Sequence, residues 1–244
     1  MPTCSSMRLP DGKPPAMHDV ALISALYGDY DTFRDPVPQD GDVQYVCVTD
    51  NPDLTSDVWE MVYWPKPHMK PLLAAKAPKM LPAWHCDARS SVWVDMSVQV
   101  MSPTFAVEAA ECAGDGVATW PHPWNSTIAA EVKESARQVR YEGQRLTDQV
   151  QRFHRAGMPD DTSVRHTAVV ARGHNRVTEQ LGLYWDAEFE WSAADQIGFM
   201  FACWRSGVPM RELPLEYAHL MGFRTPPCSD QWVSHHPHLK PYAA

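Results

Sequence analysis

The sequence predicts an α/β domain with a mainly parallel, Rossmann-like central sheet flanked by helices. Short apolar runs bounded by turn residues alternate with helical patterns, the arrangement of strand and crossover helix that builds parallel sheets. Size agrees: 244 residues, 44% of them hydrophobic, suffice for one substantial core.

Residues 1–18 are proline-containing and aperiodic, and read as a loose lead. The ordered domain is expected over 19–222, with 223–244 as a C-terminal tail. Strand-like runs follow at Val20–Leu26, Val43–Val48, Val58–Tyr63, Ser91–Asp95 and Gly116–Trp120. A helical pattern at Met69–Leu81 is broken by Pro71 and Pro78. Another spans Ser102–Ala113, where Ser102 can cap, Pro103 suits the first turn and Gly114 can stop the helix. From about Asn125 to Gly157 runs a second helical region with a break near Gly143. Ile128, Val132, Ala136 and Val139 form its apolar face, and Lys133, Arg137 and Arg140 share another.

Composition narrows the function. Lys plus Arg number 21 against 30 Asp plus Glu, a net charge of -9, which opposes an undirected grip on nucleic acid or an anionic membrane. The charge is segregated: residues 133–176 hold nine Lys or Arg against five Asp or Glu, so they make either a solvated helix surface or a cradle for an anion. No apolar run approaches the roughly 20 residues that cross a bilayer. The start, Met1-Pro2-Thr3, lacks a charged-then-apolar signal, so a cytoplasmic protein is expected. Six scattered cysteines without a C-x-x-C pair argue against zinc-ribbon and thioredoxin chemistry.

In parallel α/β sheets ligands gather at the carboxyl ends of strands. The first run ends in Tyr27-Gly28-Asp29, where Gly28 permits a tight turn and Asp29 can accept hydrogen bonds from a base or ribose. The second ends in Thr49-Asp50-Asn51, which an Asx turn explains equally well. Asp95 leaves the core abruptly after Trp93-Val94, and a carboxylate there needs a partner or a metal. Lys76 and Lys79 flank Ala77-Pro78 in the broken helix, either meeting a phosphate or facing solvent. His122 sits between two prolines after the Gly116–Trp120 run. Asp195-Gln196 opens an apolar helix, where the aspartate either caps it or serves to orient or deprotonate a hydroxyl. Trp185, Trp191 and Trp204 are either a stacking platform or core.

Taken together, Ala25 to Asp31, Thr49-Asp50-Asn51, Lys76 with Lys79, Trp93-Val94-Asp95, His122, Glu131, Asp148-Gln149 and Asp195-Gln196 resemble one glycosyltransferase-like family. Long catalogued as a domain of unknown function, it includes plant proteins implicated in mucilage polysaccharide synthesis, and the likeness spans Asp19 to Trp204. The resemblance implies a GT-A fold that lays a nucleotide-sugar donor, UDP- or GDP-type, across the strand ends. It places Tyr27, Gly28, Asp29, Asp50, Lys76, Lys79, Asp95 and His122 on the donor, and Asp195, Gln196 and Asp95 at the chemistry.

A divalent cation, Mn or Mg, would neutralise the diphosphate leaving group. Asp95-Met96-Ser97 stands in the place of the family's D-x-D-like motif, with Ser97 where a second aspartate is expected. The tail Ser234 to Tyr242 would complete the donor site, His236 on the metal and Lys240 on the diphosphate. The family arginines after His122 and before Asp195 are replaced, by Trp124 and Asn125 and by Ala194. The resemblance thus implies a glycosyltransferase, and the small size and lack of an expected membrane anchor suit a bacterial or phage enzyme acting on a soluble glycan, a small molecule or a hydroxylated DNA base. A catalytically inactive nucleotide- or carbohydrate-binding module is the alternative.

Overall fold

Seven strands of the described residues form one mixed sheet. The computed structural model describes residues 18–28, 30–214, 218–219 and 232–236. Along the chain come β1 (His18–Leu26), β2 (Val43–Thr49) and β3 (Glu60–Tyr63), then two short helices, α1 (Pro71–Ala74) and α2 (Ala77–Met80). They are followed by β4 (Ala88–Val94), β5 (Val98–Val100), α3 (Phe105–Ala113), β6 (Val117–Pro121), α4 (Ile128–Ser135) and α5 (Leu146–Arg155). The rest comprises β7 (Arg165–Gly173), α6 (Arg176–Ala187), α7 (Asp195–Ser206), β8 (Met210–Glu212), β9 (Ala218–His219) and β10 (Val233–His235).

The strand order, β3-β2-β1-β4-β7-β6-β8, follows from the chain path. β2 and β3 add in parallel on one side of β1, and β4 then returns to pair in parallel on its other side. β7 runs antiparallel to both β4 and β6, and β8 lies parallel to β6. Among the described residues β5, β10 and β9 form a second sheet, whose Val98, Val100 and Val233 join the core under α3. Strand alternation sends Ala21, Ile23 and Ala25 to the core under α2, α6 and α7, and Val20 and Leu22 to the core under α3.

The expected strands are all present. Pro71 and Pro78 each sit in the first turn of their own helix, which is why the Met69–Leu81 pattern becomes two single-turn helices. α3 begins later than its capping signal suggests. Ser102 Oγ accepts from the Thr104 N–H at 3.3 Å, and Gln39, far away in sequence, supplies Oε1 to the Ala106 N–H at 2.9 Å. The region after Asn125 divides into α4 and α5 around Gly143, which adopts a left-handed φ of 74°. Thr127 caps α4 through its side chain, and its backbone bridges to Ser163.

One strand is hidden in the sequence. β7 falls inside the basic segment, where Arg165, His166 and Arg172 interrupt the apolar run, yet Thr167 to Ala171 are buried. Four of the nine cations of that segment are matched by carboxylates: Arg137 by Glu134, Arg145 by Asp148, Arg152 by Glu188 and Arg165 by Glu212. Among the described residues no helix is long and apolar enough to cross a membrane.

α6 packs on the back of α2 through Gly182, where a Cβ would collide with the Met80 carbonyl oxygen. Overpacking a helix contact of this kind costs about 1–3 kcal/mol. Gly182→Ala is therefore expected to lower stability by about 2 kcal/mol in urea unfolding, and an unchanged midpoint would show that α6 can yield there.

Candidate active site

The topology reverses at β1: the chain leaves it toward β2 and comes back on the other side at β4. Such a switch point opens a crevice beyond the carboxyl ends of the two strands. A cleft of about 360 Å³ lies there, lined by Leu26 and Tyr27 at the end of β1 and by Trp93, Asp95 and Ser97 at the end of β4. β6 points the same way and brings His122 and Trp124, whereas antiparallel β7 contributes its beginning, His166 and Thr167.

At the floor is a buried charge cluster. Asp195, 6% exposed, accepts from Lys76 Nζ at 2.7 Å, from Lys79 Nζ at 2.6 Å and from Thr167 Oγ1 at 2.9 Å. Lys79 is fully enclosed, and its ammonium also reaches Asp95 Oδ1 at 3.2 Å. Trp93 Nε1 donates to that same oxygen at 2.6 Å. Two cations thus face two carboxylates. Burial alone would raise the Asp195 carboxyl, but Lys76 and Lys79 outweigh it and hold Asp195 well below the usual carboxylate range. Burial likewise opposes the charge of Lys79, yet Asp195 and Asp95 leave its amine above the ordinary value.

Asp195 occupies the first turn of α7, after the N-cap position Ala194, and does not cap it, since its carboxylate accepts from Lys76, Lys79 and Thr167 side chains and from no backbone N–H of the helix. Of the two sequence readings, the cap is thereby excluded. Neither lysine faces solvent; both amines point at Asp195, so any contact with a phosphate would be shared with that carboxylate. Behind them Arg172, buried in the sheet, donates from Nη1 to the Met80 carbonyl at 3.0 Å and from Nη2 to the Lys79 carbonyl at 2.9 Å. This guanidinium fixes the turn that carries Lys79, a role no local pattern reveals.

The opposite wall is polar and differently built. His122 Nδ1 accepts the Asn125 N–H at 3.0 Å, which leaves its proton on Nε2, 3.4 Å from Glu131 Oε2. Asn125 Nδ2 donates to the same carboxylate at 2.6 Å and Ser135 Oγ to its other oxygen at 3.1 Å. Burial raises the Glu131 carboxyl. Burial also pushes His122 down to about 4 and His166 down to about 3, so both rings are neutral near pH 7.

The other sequence-selected residues fall in several places. Tyr27 lines the cleft and donates its hydroxyl to the Trp64 carbonyl at 2.7 Å. Asp50 accepts the Gly28 N–H at 3.0 Å and so braces the end of β1 from behind the cleft wall; Gly28 has a φ of 58°. Gln196 opens into the cleft, and its amide makes no hydrogen bond among the described residues. Asp29 and Lys240 lie outside the described residues. Asp148 and Gln149 are away from the cleft, Gln149 being tied to Glu188 and Ser192. Trp185 is fully buried in the core, Trp191 is flanked by Arg145 and Arg152, and Trp204 packs beside Phe201. None of these three tryptophans lines the cleft, so the stacking-platform reading is corrected to packing.

His236 is also turned away. Its Nε2 meets Gln99 Oε1 at 3.1 Å and its N–H donates to the Ser97 carbonyl at 2.7 Å, while His235, one position earlier, lines the cleft. Adjacent residues in extended chain point to opposite sides.

Whether a divalent cation suits these residues depends on Asp95. Its Oδ1 is engaged, but Oδ2 takes no hydrogen bond among the described residues, and Ser97 and His235 line the same cleft. No group of three or more His, Cys, Asp or Glu converges among the described residues. One carboxylate with a nearby imidazole fits a cation whose shell substrate phosphates complete, as Mg commonly is bound, and does not form a closed protein cage.

A switch-point cleft on this mixed sheet, with carboxylates at the strand ends, is the ligand crevice of the Rossmann-like α/β class. Residues 11–213 match the model of the TOD1/MUCI70 glycosyltransferase-like domain, and the chain belongs to that family. Among solved structures the apo form of the WbbM bifunctional glycosyltransferase is similar, with a TM-score of 0.50 and 12% identity over 84% of this chain. The match spans 40% of that protein and shows the shared fold. No curated protein matches the sequence significantly.

Removing one partner of a buried ion pair costs about 3–5 kcal/mol, because the other charge stays enclosed. Asp195→Asn, which keeps the shape and drops the charge, is expected to cost about that much in urea unfolding; a neutral result would mean that the cluster tolerates two ammonium groups without a counter-charge at its centre. Acid should act through the histidines. Burial holds His85, His122 and His174 near 4 and His166 near 3. An unfolded histidine titrates near about 6.5. Below that value the unfolded chain binds protons the native state refuses, so stability is complete above about pH 6.5 and falls as pH drops toward 4, by about 1.4 kcal/mol per unit for each histidine. Melting curves from pH 7 to pH 4.5 measure this; a flat profile would contradict the neutral native rings.

Proposed function

We propose that the protein is a nucleotide-sugar-dependent glycosyltransferase that moves a sugar from a UDP- or GDP-type donor to an acceptor hydroxyl. The observation that carries the reading is the meeting of Asp95 and Asp195, from separate elements, around Lys79 at the switch point of the sheet. The nucleotide would lie toward Tyr27 and the Gly28–Asp50 brace, and the diphosphate beside Asp95. A cation bound there through Asp95 Oδ2, with His235 as its neighbour, would neutralise charge on the departing diphosphate.

The chain's own groups have distinct tasks. Asp195 is held ionised by two lysines, so it serves to lock Lys76, Lys79 and Thr167 in position, and its committed oxygens leave little capacity to take a proton. Gln196, next along α7, offers an amide to the reacting sugar. The enclosed ammonium of Lys79 places a fixed positive charge beside Asp95, where charge develops as the glycosidic bond breaks.

Ser97, in the place of a second metal carboxylate, favours a second reading, a binding module that holds a nucleotide sugar without turning it over. Calorimetry with UDP- and GDP-sugars, with and without Mn or Mg, tests the shared premise; no binding to any of them would sink both readings. Slow release of free sugar from a bound donor separates them, since an inert module releases none. Asp95→Asn should lower that release by at least about 100-fold while the melting curve still shows a folded protein, and unchanged release would remove Asp95 from the chemistry.

A further inference from the structure

Of the large apolar side chains that stand exposed among the described residues, Trp124 alone lines the cleft. It is 62% exposed, in the loop between β6 and α4. The loop is not slack. The Trp124 and Asn125 N–H groups both point at His122 Nδ1, and the indole meets the His122 ring edge-on, with centroids 5.7 Å apart and planes at 68°. Pro123 restricts the backbone before it. A large aromatic held out at a cleft mouth beside convergent polar groups is the composition of a binding wall rather than of ordinary surface.

The polar groups identify the ligand class. Glu131 faces the cleft, and its Oε1 accepts only one described hydrogen bond, from Ser135, so it retains acceptor capacity. Glu134, three residues on and therefore on the same side of α4, also lines the cleft. A nucleobase would stack on an indole as readily as a sugar, but its phosphates would compete with Glu134 and Glu131 for the cations of this wall, Arg137 and Arg140, which those carboxylates already engage. A pyranose brings an apolar C–H face for the ring and neutral hydroxyls that donate to carboxylates and to the Asn125 amide oxygen.

We infer that this wall is the acceptor subsite and that it takes a saccharide, with a pyranose ring lying on Trp124 and its hydroxyls directed at Glu131 and Asn125. The assignment rests on the transferase reading above for the word acceptor; the saccharide contact itself does not need it.

Saturation-transfer NMR tests the contact with the methyl glycosides of glucose, galactose, mannose and xylose, and with a short oligonucleotide carrying 5-hydroxymethylcytosine. Wild type, Trp124→Ala, Trp124→Phe and the off-cleft control Trp204→Ala are compared. At least one glycoside should receive saturation from wild type, lose roughly 10-fold in affinity with Trp124→Ala, and keep most of it with Trp124→Phe and Trp204→Ala. Absence of glycoside contact in wild type, equal contact by Trp124→Ala, or a Trp124-dependent preference for the oligonucleotide would each overturn the inference. Donor hydrolysis by wild type is measured alongside: its absence would count against the transferase reading and leave the saccharide contact at Trp124 intact.

Discussion

The enclosure of Asp195 between two lysines is the constraint on which the site depends. A carboxylate that buried is tolerable only with partners in close contact, and those partners arrive from distant parts of the chain: Lys76 and Lys79 around α2, Thr167 from β7. Satisfying it draws α2, β7 and the start of α7 to one point. Asp95, at the end of β4, joins through Lys79. The cluster is neutral as a whole, so it organises the floor of the cleft without adding net charge to it.

Support for the cluster comes from behind the cleft. Arg172 spans two consecutive carbonyls of α2, a fork that an ammonium could not reproduce with the same geometry. Gly182 lets α6 close on that turn from the other side. A four-residue helix has little cohesion of its own, and here its place is set by what it packs against. Antiparallel β7 serves both ends of this arrangement: its first residues face the cleft and Arg172, near its last, holds the turn from below.

Much of this is legible in the sequence, for identifiable reasons. Apolar runs and turn residues announce the parallel half of the sheet, and position or resemblance is enough to single out Asp95, Lys79, His122, Glu131 and Asp195. β7 escapes because arginines and a histidine break its apolar run, although they turn out to be paired or buried. The partnership of Lys76 and Lys79 with Asp195 cannot be read, since more than a hundred residues separate them. The phase of a short strand decides between His235 and His236, and no local rule sets that phase. Trp124 stands out in the sequence only as a missing arginine, whereas Trp185, the more conspicuous sugar platform, proves to be core.

The attachment of α4 bears on how such a domain can diversify. This wall is held by the Thr127 cap, by its bridge to Ser163 and by the packing of α4 on α5 and α7, with His122, Asn125 and Glu131 hydrogen-bonded chiefly to one another. The lysine cluster draws no described hydrogen bond from it. Exchanges in the polar loop between β6 and α4 can therefore reshape one side of the cleft without breaking a hydrogen bond of the floor, whereas changes on the buried side of α4 meet α7 and so reach the helix that carries Asp195.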